Sequence, residues 1–219
     1  MHQDLHQYYA ARAAEYDRVY DKPERQPDLR AIERWLLQVL GGKRLLEIAC
    51  GTGYWTRVLA PVVPGLLALD AAQETLRIAQ SRVQDRHVDF VQGDAYRLPV
   101  TPRAFEGAFA GFWFSHIPQR RVREFLQGLH ATLAPGARVV FLDNRFVAGS
   151  STPIAERDAH DADGDTYQLR KLDDGSQHRV LKNFPSETAL REAVAGLASE
   201  VRVHQWTYFW ALEYVAGGS

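Results

Sequence analysis

Apolar positions recur at helical spacing along residues 28–40, through Ile32, Trp35, Leu36, Val39 and Leu40, and Gly41-Gly42 ends the run. Residues 44–49 are a short apolar stretch that reads as a buried strand, with a helix at 54–59 after it. The alternation then repeats. A strand is expected at 65–70, a helix at 72–83 with Leu76, Ala79 and Val83 in register, and strands at 87–91 and 105–112. A helix follows at 119–133 through Val122, Phe125, Leu126 and Leu129, then a turn at Pro135-Gly136 and a fifth strand at 137–143. Strand and helix alternating at this spacing predict an α/β fold, a mostly parallel, doubly wound sheet with helices on both faces. Upstream, residues 4–16 have a helical side of Leu5, Tyr8, Tyr9 and Ala13, and Pro23 and Pro27 interrupt the chain.

The last third breaks the rhythm. Residues 144–166 are polar and read as a long surface segment. Residues 167–172 and 177–184 flank Asp173-Asp174-Gly175-Ser176, which has the chemistry of a hairpin turn. Ser186 can cap a helix reaching about 198, and 201–215 is strongly β-prone, long enough for a strand, a turn and a second strand. No repeat and no sharp shift in composition divides the 219 residues, so one domain is expected over 1–219. Within it, 1–27 is a lid region and 144–185 a substrate-side insertion.

Composition narrows the classes. One cysteine, Cys50, excludes a disulfide framework within the chain and points to a cytoplasmic setting. No apolar run reaches the ~18 residues of a membrane span. A net charge of −1 offers no global attraction to nucleic acid or anionic membranes, which leaves a small molecule as the expected partner.

The informative stretch is Leu45-Leu46-Glu47-Ile48-Ala49-Cys50-Gly51-Thr52-Gly53-Tyr54, where a buried strand turns through Gly-x-Gly into a helix. Glycines there permit positive φ and close approach of a ligand to backbone at a helix N-terminus. Many nucleotide-binding folds share that signal, and three features sharpen it. Asp70 lies 19 residues after Gly51 at the end of the next strand, where an acid can accept from both ribose hydroxyls. Thr56 stands where a third glycine would serve a pyrophosphate. Glu47, on the approach to the loop, suits a ligand carrying a sulfonium and an ammonium group. After the third strand, Asp94 can accept from an adenine amino group and the Ala95 N–H can donate to a ring nitrogen. Helix capping or turn formation is the plainer role for both aspartates.

Glu47-Ile48-Ala49-Cys50-Gly51-Thr52-Gly53 resembles the signature of class I S-adenosylmethionine-dependent methyltransferases. Leu69-Asp70 and Gly93-Asp94-Ala95-Tyr96-Arg97-Leu98-Pro99 are similar to that family's next motifs, and Leu133-Ala134-Pro135-Gly136-Ala137 to its turn before strand five. Ala49 and Ala137 stand where glycine is frequent. The resemblance implies a Rossmann-like sheet of seven strands, the last antiparallel, with S-adenosyl-L-methionine as cofactor and S-adenosyl-L-homocysteine as product. It also implies a lid, for which Tyr8 to Asp17 is the candidate segment. The implied cofactor set is Tyr16, Glu47, Ala49, Cys50, Gly51, Gly53, Tyr54, Asp70, Ala71, Asp94, Ala95 and Phe112.

Methyl transfer from such a donor is an in-line displacement, so alignment and desolvation carry much of it. A base is needed only if the acceptor must lose a proton. His116, in Phe112-Trp113-Phe114-Ser115-His116, leaves the C-terminal end of strand four and is the candidate base or substrate contact; packing against the aromatics is the alternative. Trp113 and Phe114 could wall an acceptor site or fill core. Asn144 and Arg145, after strand five, could bind a polar or anionic substrate group or form a surface turn with a solvated charge, and Tyr20 is a lid or substrate candidate. The run Asp158 to Asp165 has calcium-loop flavour, but its glycine spacing is wrong and no Glu closes it, so no metal is expected. The reading is methylation of N or O on a small molecule. Its rivals are a protein or nucleic-acid methyltransferase, a cofactor-binding module without transfer, and a nicotinamide oxidoreductase, which would expect the missing glycine.

Overall fold

The computed structural model describes residues 17–18, 20–98, 104–155 and 163–217. The described strands are β1 (Leu45–Ile48), β2 (Leu66–Asp70), β3 (Val88–Gln92), β4 (Phe105–Gly111), β5 (Leu133–Asn144), β6 (Tyr167–Lys171), β7 (Gln177–Leu181), β8 (Ala198–Gln205) and β9 (Phe209–Ala216). Seven of them form one sheet in the order β3-β2-β1-β4-β5-β9-β8. β1 to β5 pair in parallel, and β9 enters antiparallel between β5 and β8. The expected seven-stranded Rossmann-like sheet is therefore present, with its last strand reversed. The 201–215 run divides at residues 206–208 into the strand, turn and strand that its length allowed.

Five described α-helices cover the two faces: α1 (Gln26–Leu40), α2 (Tyr54–Leu59), α3 (Gln73–Arg82), α4 (Val122–His130) and α5 (Glu187–Ala193). The alternation of β5 shows why both faces are apolar. Val139 and Phe141 pack with Phe125, Leu126 and Leu129 of α4, whereas Val140 and Leu142 pack with Leu29, Ile32 and Leu36 of α1. Pro27 does not interrupt the chain as its sequence position suggested. It sits in the first turn of α1, where its missing N–H is no loss and its fixed φ is already helical.

The strands β6 and β7 stand outside the sheet as a separate antiparallel hairpin closed by the predicted Asp-Gly turn. Below it the chain is held by polar groups. The Thr166 N–H donates to Asn183 Oδ1 at 2.9 Å, and Asn183 Nδ2 donates to Asp165 Oδ1 at 2.9 Å and to the Ile117 carbonyl at 3.3 Å. Asp165 in turn accepts from the Gln119 N–H at 2.9 Å. The hairpin thereby sits beside the segment that leaves β4.

Candidate active site

β1 and β4 are neighbours, and the chain winds from them toward opposite edges of the sheet; ligands of open α/β sheets bind outside the strand ends at such a point. The glycine loop lies there. Ala49, Gly51 and Gly53 take φ of 54°, 56° and 78°. Gly53 is required twice, because a Cβ there would also lie 3.0 Å from the Ala79 Cβ, where α2 closes on α3. Ala49 occupies the same backbone region at a cost of about 1–2 kcal/mol, which explains why glycine is frequent at this place in similar sequences.

Asp70 joins the loop to the end of β2. Its Oδ2 accepts from the Gly51 N–H at 2.8 Å, and its Oδ1 from the Ala72 N–H at 2.9 Å and the Thr75 hydroxyl at 3.0 Å. Ala71, between them, bonds Gln92 through its carbonyl at 3.0 Å. Glu47 lies beneath the loop at 1% exposure, accepting from Thr56 Oγ1 at 2.7 Å. Thr56 thus has a job at the position where a dinucleotide site would carry glycine. Burial pushes the Glu47 carboxyl up to about 8 despite that bond. Burial thus favours the protonated form of this carboxyl. Cys50 is buried, and burial raises its thiol well above the usual range, as befits a packed residue.

Asp94 and Ala95 follow β3 as expected, with Asp94 exposed and accepting from the Tyr96 N–H at 2.9 Å in a local turn. Phe112 follows β4 with φ 60°, a strained value for a non-glycine residue, and faces Tyr20 and Phe209 at centroid distances of 5.6 and 5.8 Å. Tyr20 is buried and stacks on Tyr54 at 3.7 Å, so it joins the cofactor-loop side rather than Asn144. The Tyr54 hydroxyl donates to Glu33 at 2.7 Å and accepts from Arg30 at 2.8 Å. Burial pushes it up to about 12. Of the lid segment, Tyr8 to Tyr16 lie outside the described residues. Asp17 accepts from Thr52 Oγ1 at 2.6 Å and pairs with Arg82, a latch across the glycine loop.

His116 is 4% exposed, and its Nδ1–H donates to the Leu181 carbonyl at 2.5 Å, which leaves Nε2 as the basic nitrogen. Burial first, then Lys182 and Arg170, hold it well below the usual histidine range, so it is neutral at physiological pH. Trp113 packs on Tyr96 and Phe125 at 6.1 and 6.5 Å, and Phe114 on Phe141 and Trp210 at 5.0 and 5.8 Å. Both fill core. Arg145 is held by the turn between β8 and β9, its Nη1 donating to the Trp206 carbonyl at 2.7 Å and its backbone N–H to the Tyr208 carbonyl at 2.8 Å. Asn144 remains at the rim and accepts from Arg25 Nη1 at 2.9 Å.

Sequence reasoning missed Arg25, Ser115, Asp143 and Lys182, which are buried together at this rim. Lys182 Nζ donates to Asp143 Oδ1 and to Ser115 Oγ, both at 2.6 Å, and the Ser115 N–H donates to Asp143 Oδ2 at 3.0 Å. A lysine directly after the apolar pair Val180-Leu181 was the available signal; Arg25, between Glu24 and Gln26, gave none.

Residues 45–136 match the family described as a methyltransferase domain. The matched segment runs from β1 into the start of β5 and contains the glycine loop, Asp70 and Asp94. The chain is 25% identical over 143 residues to a demethylmenaquinone methyltransferase of Geobacillus sp. (strain WCH70), covering 58% of this chain and 60% of that one. It is 32% identical over 112 residues to a 2-phytyl-1,4-naphtoquinone methyltransferase of Thermosynechococcus vestitus, covering 49% and 48%. The chain thus spans about half to two thirds of the length of these curated relatives. Among solved structures, DhpI in complex with SAH superposes with a TM-score of 0.80 at 28% identity, covering 99% of this chain and 97% of that one. A DhpI-SAM-HEP complex gives 0.80 at 29%, covering 97% and 96%. The glycine loop, Asp70 and Glu47 hence lie in a fold that holds SAH or SAM in a similar protein.

Proposed function

We propose that the chain transfers a methyl group from S-adenosylmethionine to nitrogen or oxygen of a small-molecule acceptor. The observation that carries this reading is the left-handed glycine loop at the β1 end, bonded to Asp70 and underlain by Glu47. The pieces fit the donor: backbone open to close approach, an acid at β2 for a ribose, and a buried carboxyl that a cationic group would ionise. Bound there, S-adenosylmethionine supplies a methyl already activated on a sulfonium. Gly51 and Gly53 let the loop backbone approach it, Asp70 holds the ribose, Asp94 and Ala95 the adenine, and Glu47 the ammonium end. Phe112 and the Tyr20–Tyr54 stack exclude water from the approach. His116, through Nε2, is the proton acceptor where the substrate must lose a proton. The small-molecule part draws support from the relatives, whose names specify quinone-type acceptors.

A ligand that binds only the folded state raises the melting temperature. S-adenosylhomocysteine should stabilise the protein, NAD should not, and Asp70→Asn should lose most of the shift. The opposite ligand preference would overturn the assignment. A metabolite screen for S-adenosylhomocysteine release then identifies the acceptor, and wild-type turnover by His116→Gln would remove that residue from the chemistry.

A further inference from the structure

The segment leaving β4 is tied to the end of the hairpin at each of Ser115, His116 and Ile117. His116 Nδ1–H donates to the Leu181 carbonyl at 2.5 Å, and the Asn183 N–H to the Ser115 carbonyl at 2.8 Å. Asn183 Nδ2 donates to the Ile117 carbonyl at 3.3 Å, and Lys182 Nζ to Ser115 Oγ at 2.6 Å. Lys182 carries this join through to the sheet. Its Nζ also donates to Asp143 Oδ1 at 2.6 Å, while Asp143 Oδ2 accepts the Ser115 N–H at 3.0 Å. Ser115, Asp143 and Lys182 are all buried.

The peptide unit between Leu181 and Lys182 is thereby held on both edges. Its carbonyl receives the imidazole, and its N–H donates to the Thr166 carbonyl at 2.9 Å. The Thr166 hydroxyl donates in turn to the Lys182 carbonyl at 2.5 Å. With its backbone fixed to Thr166 and its ammonium fixed to the ends of β4 and β5, Lys182 sets where the Leu181 carbonyl lies against His116.

A neutral imidazole can carry its proton on either nitrogen, and the bond made by one nitrogen decides which. A base in a site is oriented by such a third group, and here a backbone carbonyl takes that part. The charged groups that act on the ring are Lys182 from the end of β7, Arg170 from β6 and Asp143 from β5. Burial disfavours the charged ring first, then Lys182 and Arg170, whereas Asp143 favours it and is itself paired with Lys182. Replacing a buried ion pair by apolar residues of similar volume is often neutral or stabilising, so stability alone is a weak reason for this one.

We propose that Lys182 is a positioning residue for His116, holding the Leu181 carbonyl on Nδ1 and so keeping Nε2 as the proton-accepting nitrogen. This deepens the methyltransferase reading and rests on it. Lys182 acts through the backbone of the hairpin rather than on the acceptor.

The test uses the full chain with nitrogen-labelled histidine, saturated with S-adenosylhomocysteine, and reads the imidazole nitrogens by NMR. The His116 signals are those missing from His116→Gln. In the wild type, Nδ1 should carry the proton in a single tautomer, and the ring should still be neutral at pH 6.5. Lys182→Met should populate both tautomers. It should also move the ring's protonation midpoint up by about one pH unit, a tenfold change in that equilibrium, because a cation leaves and Asp143 loses its pair. Where Lys182→Met does not fold, Ser115→Ala decides; it removes one partner of Nζ, keeps the Asp143 pair, and should move the tautomer balance in the same direction. An unchanged ring in the folded variant would overturn the positioning role, since a purely structural tie would lower stability and leave the tautomer alone. Failure of S-adenosylhomocysteine to bind the wild type would overturn the methyltransferase reading instead, and the ring spectra of the free chains would still decide the role of Lys182.

Discussion

Glu47, which we propose holds the ammonium end of the cofactor, carries a cost in stability. Its carboxyl rises from an ordinary 4.5 to about 8 on folding, so the folded state holds a proton that the unfolded chain releases. Between those values stability falls as pH rises, by at most about 1.4 kcal/mol per pH unit. Glu47→Gln keeps the shape and an acceptor for Thr56 without the penalty. It should raise the unfolding free energy at pH 8 by a few kcal/mol, an order-of-magnitude figure, while abolishing most of the S-adenosylhomocysteine shift. Equal stability of both proteins across pH 5–9 in denaturant titrations would contradict the burial-driven rise. The position of Glu47 beside the loop was legible in its motif. Its protonation was not, because desolvation is set by the packing of α2 over β1, which no local pattern contains.

At the scale of elements, the hairpin β6–β7 stands apart from the main sheet and is anchored at its base. Its turn glycine, Gly175, has φ 86°, and a Cβ added there would meet no atom within 4 Å, so Gly175→Ala tests backbone strain alone. That substitution should cost about 1–2 kcal/mol. Hydrogen exchange should accelerate within residues 167–181 and remain unchanged in β1, β4 and β5. Acceleration throughout the sheet would mean that the hairpin and sheet open as one unit. The Asp-Gly turn and its flanking strands were readable because a hairpin is a local object. Where the hairpin sits was not, since its anchors Ser115, Asp143 and Lys182 are spread over 67 positions of chain.

For the whole molecule, two buried groups bracket the pH range of greatest stability. His116 is held below its ordinary 6.5, so below that value the unfolded chain binds the extra proton and stability falls with acidification. Glu47 acts in the opposite sense as pH rises toward 8. The melting temperature should therefore peak on the acid side of neutrality, and Glu47→Gln should move the peak upward in pH. A wild-type maximum at or above pH 8 would contradict this balance. No described helix is long and apolar enough to cross a membrane.

The sequence by itself determined the order of strands and helices along the chain and the place of the glycine loop and its neighbouring acids at the strand ends. Hydrophobic periodicity specifies each element locally, and Glu47, Gly51, Gly53, Asp70 and Asp94 follow strands at fixed short intervals. Only the tertiary structure decided what surrounds the end of β5. It bonded Arg145 to the turn between β8 and β9, buried Phe114 in core with Trp113 packed against it, tied His116 to the hairpin, and brought Arg25 and Lys182 to the end of β5. Those residues meet through the packing of α1, the hairpin and β9 around one strand end. Charge balance in a buried place belongs to the assembled fold rather than to any segment of it.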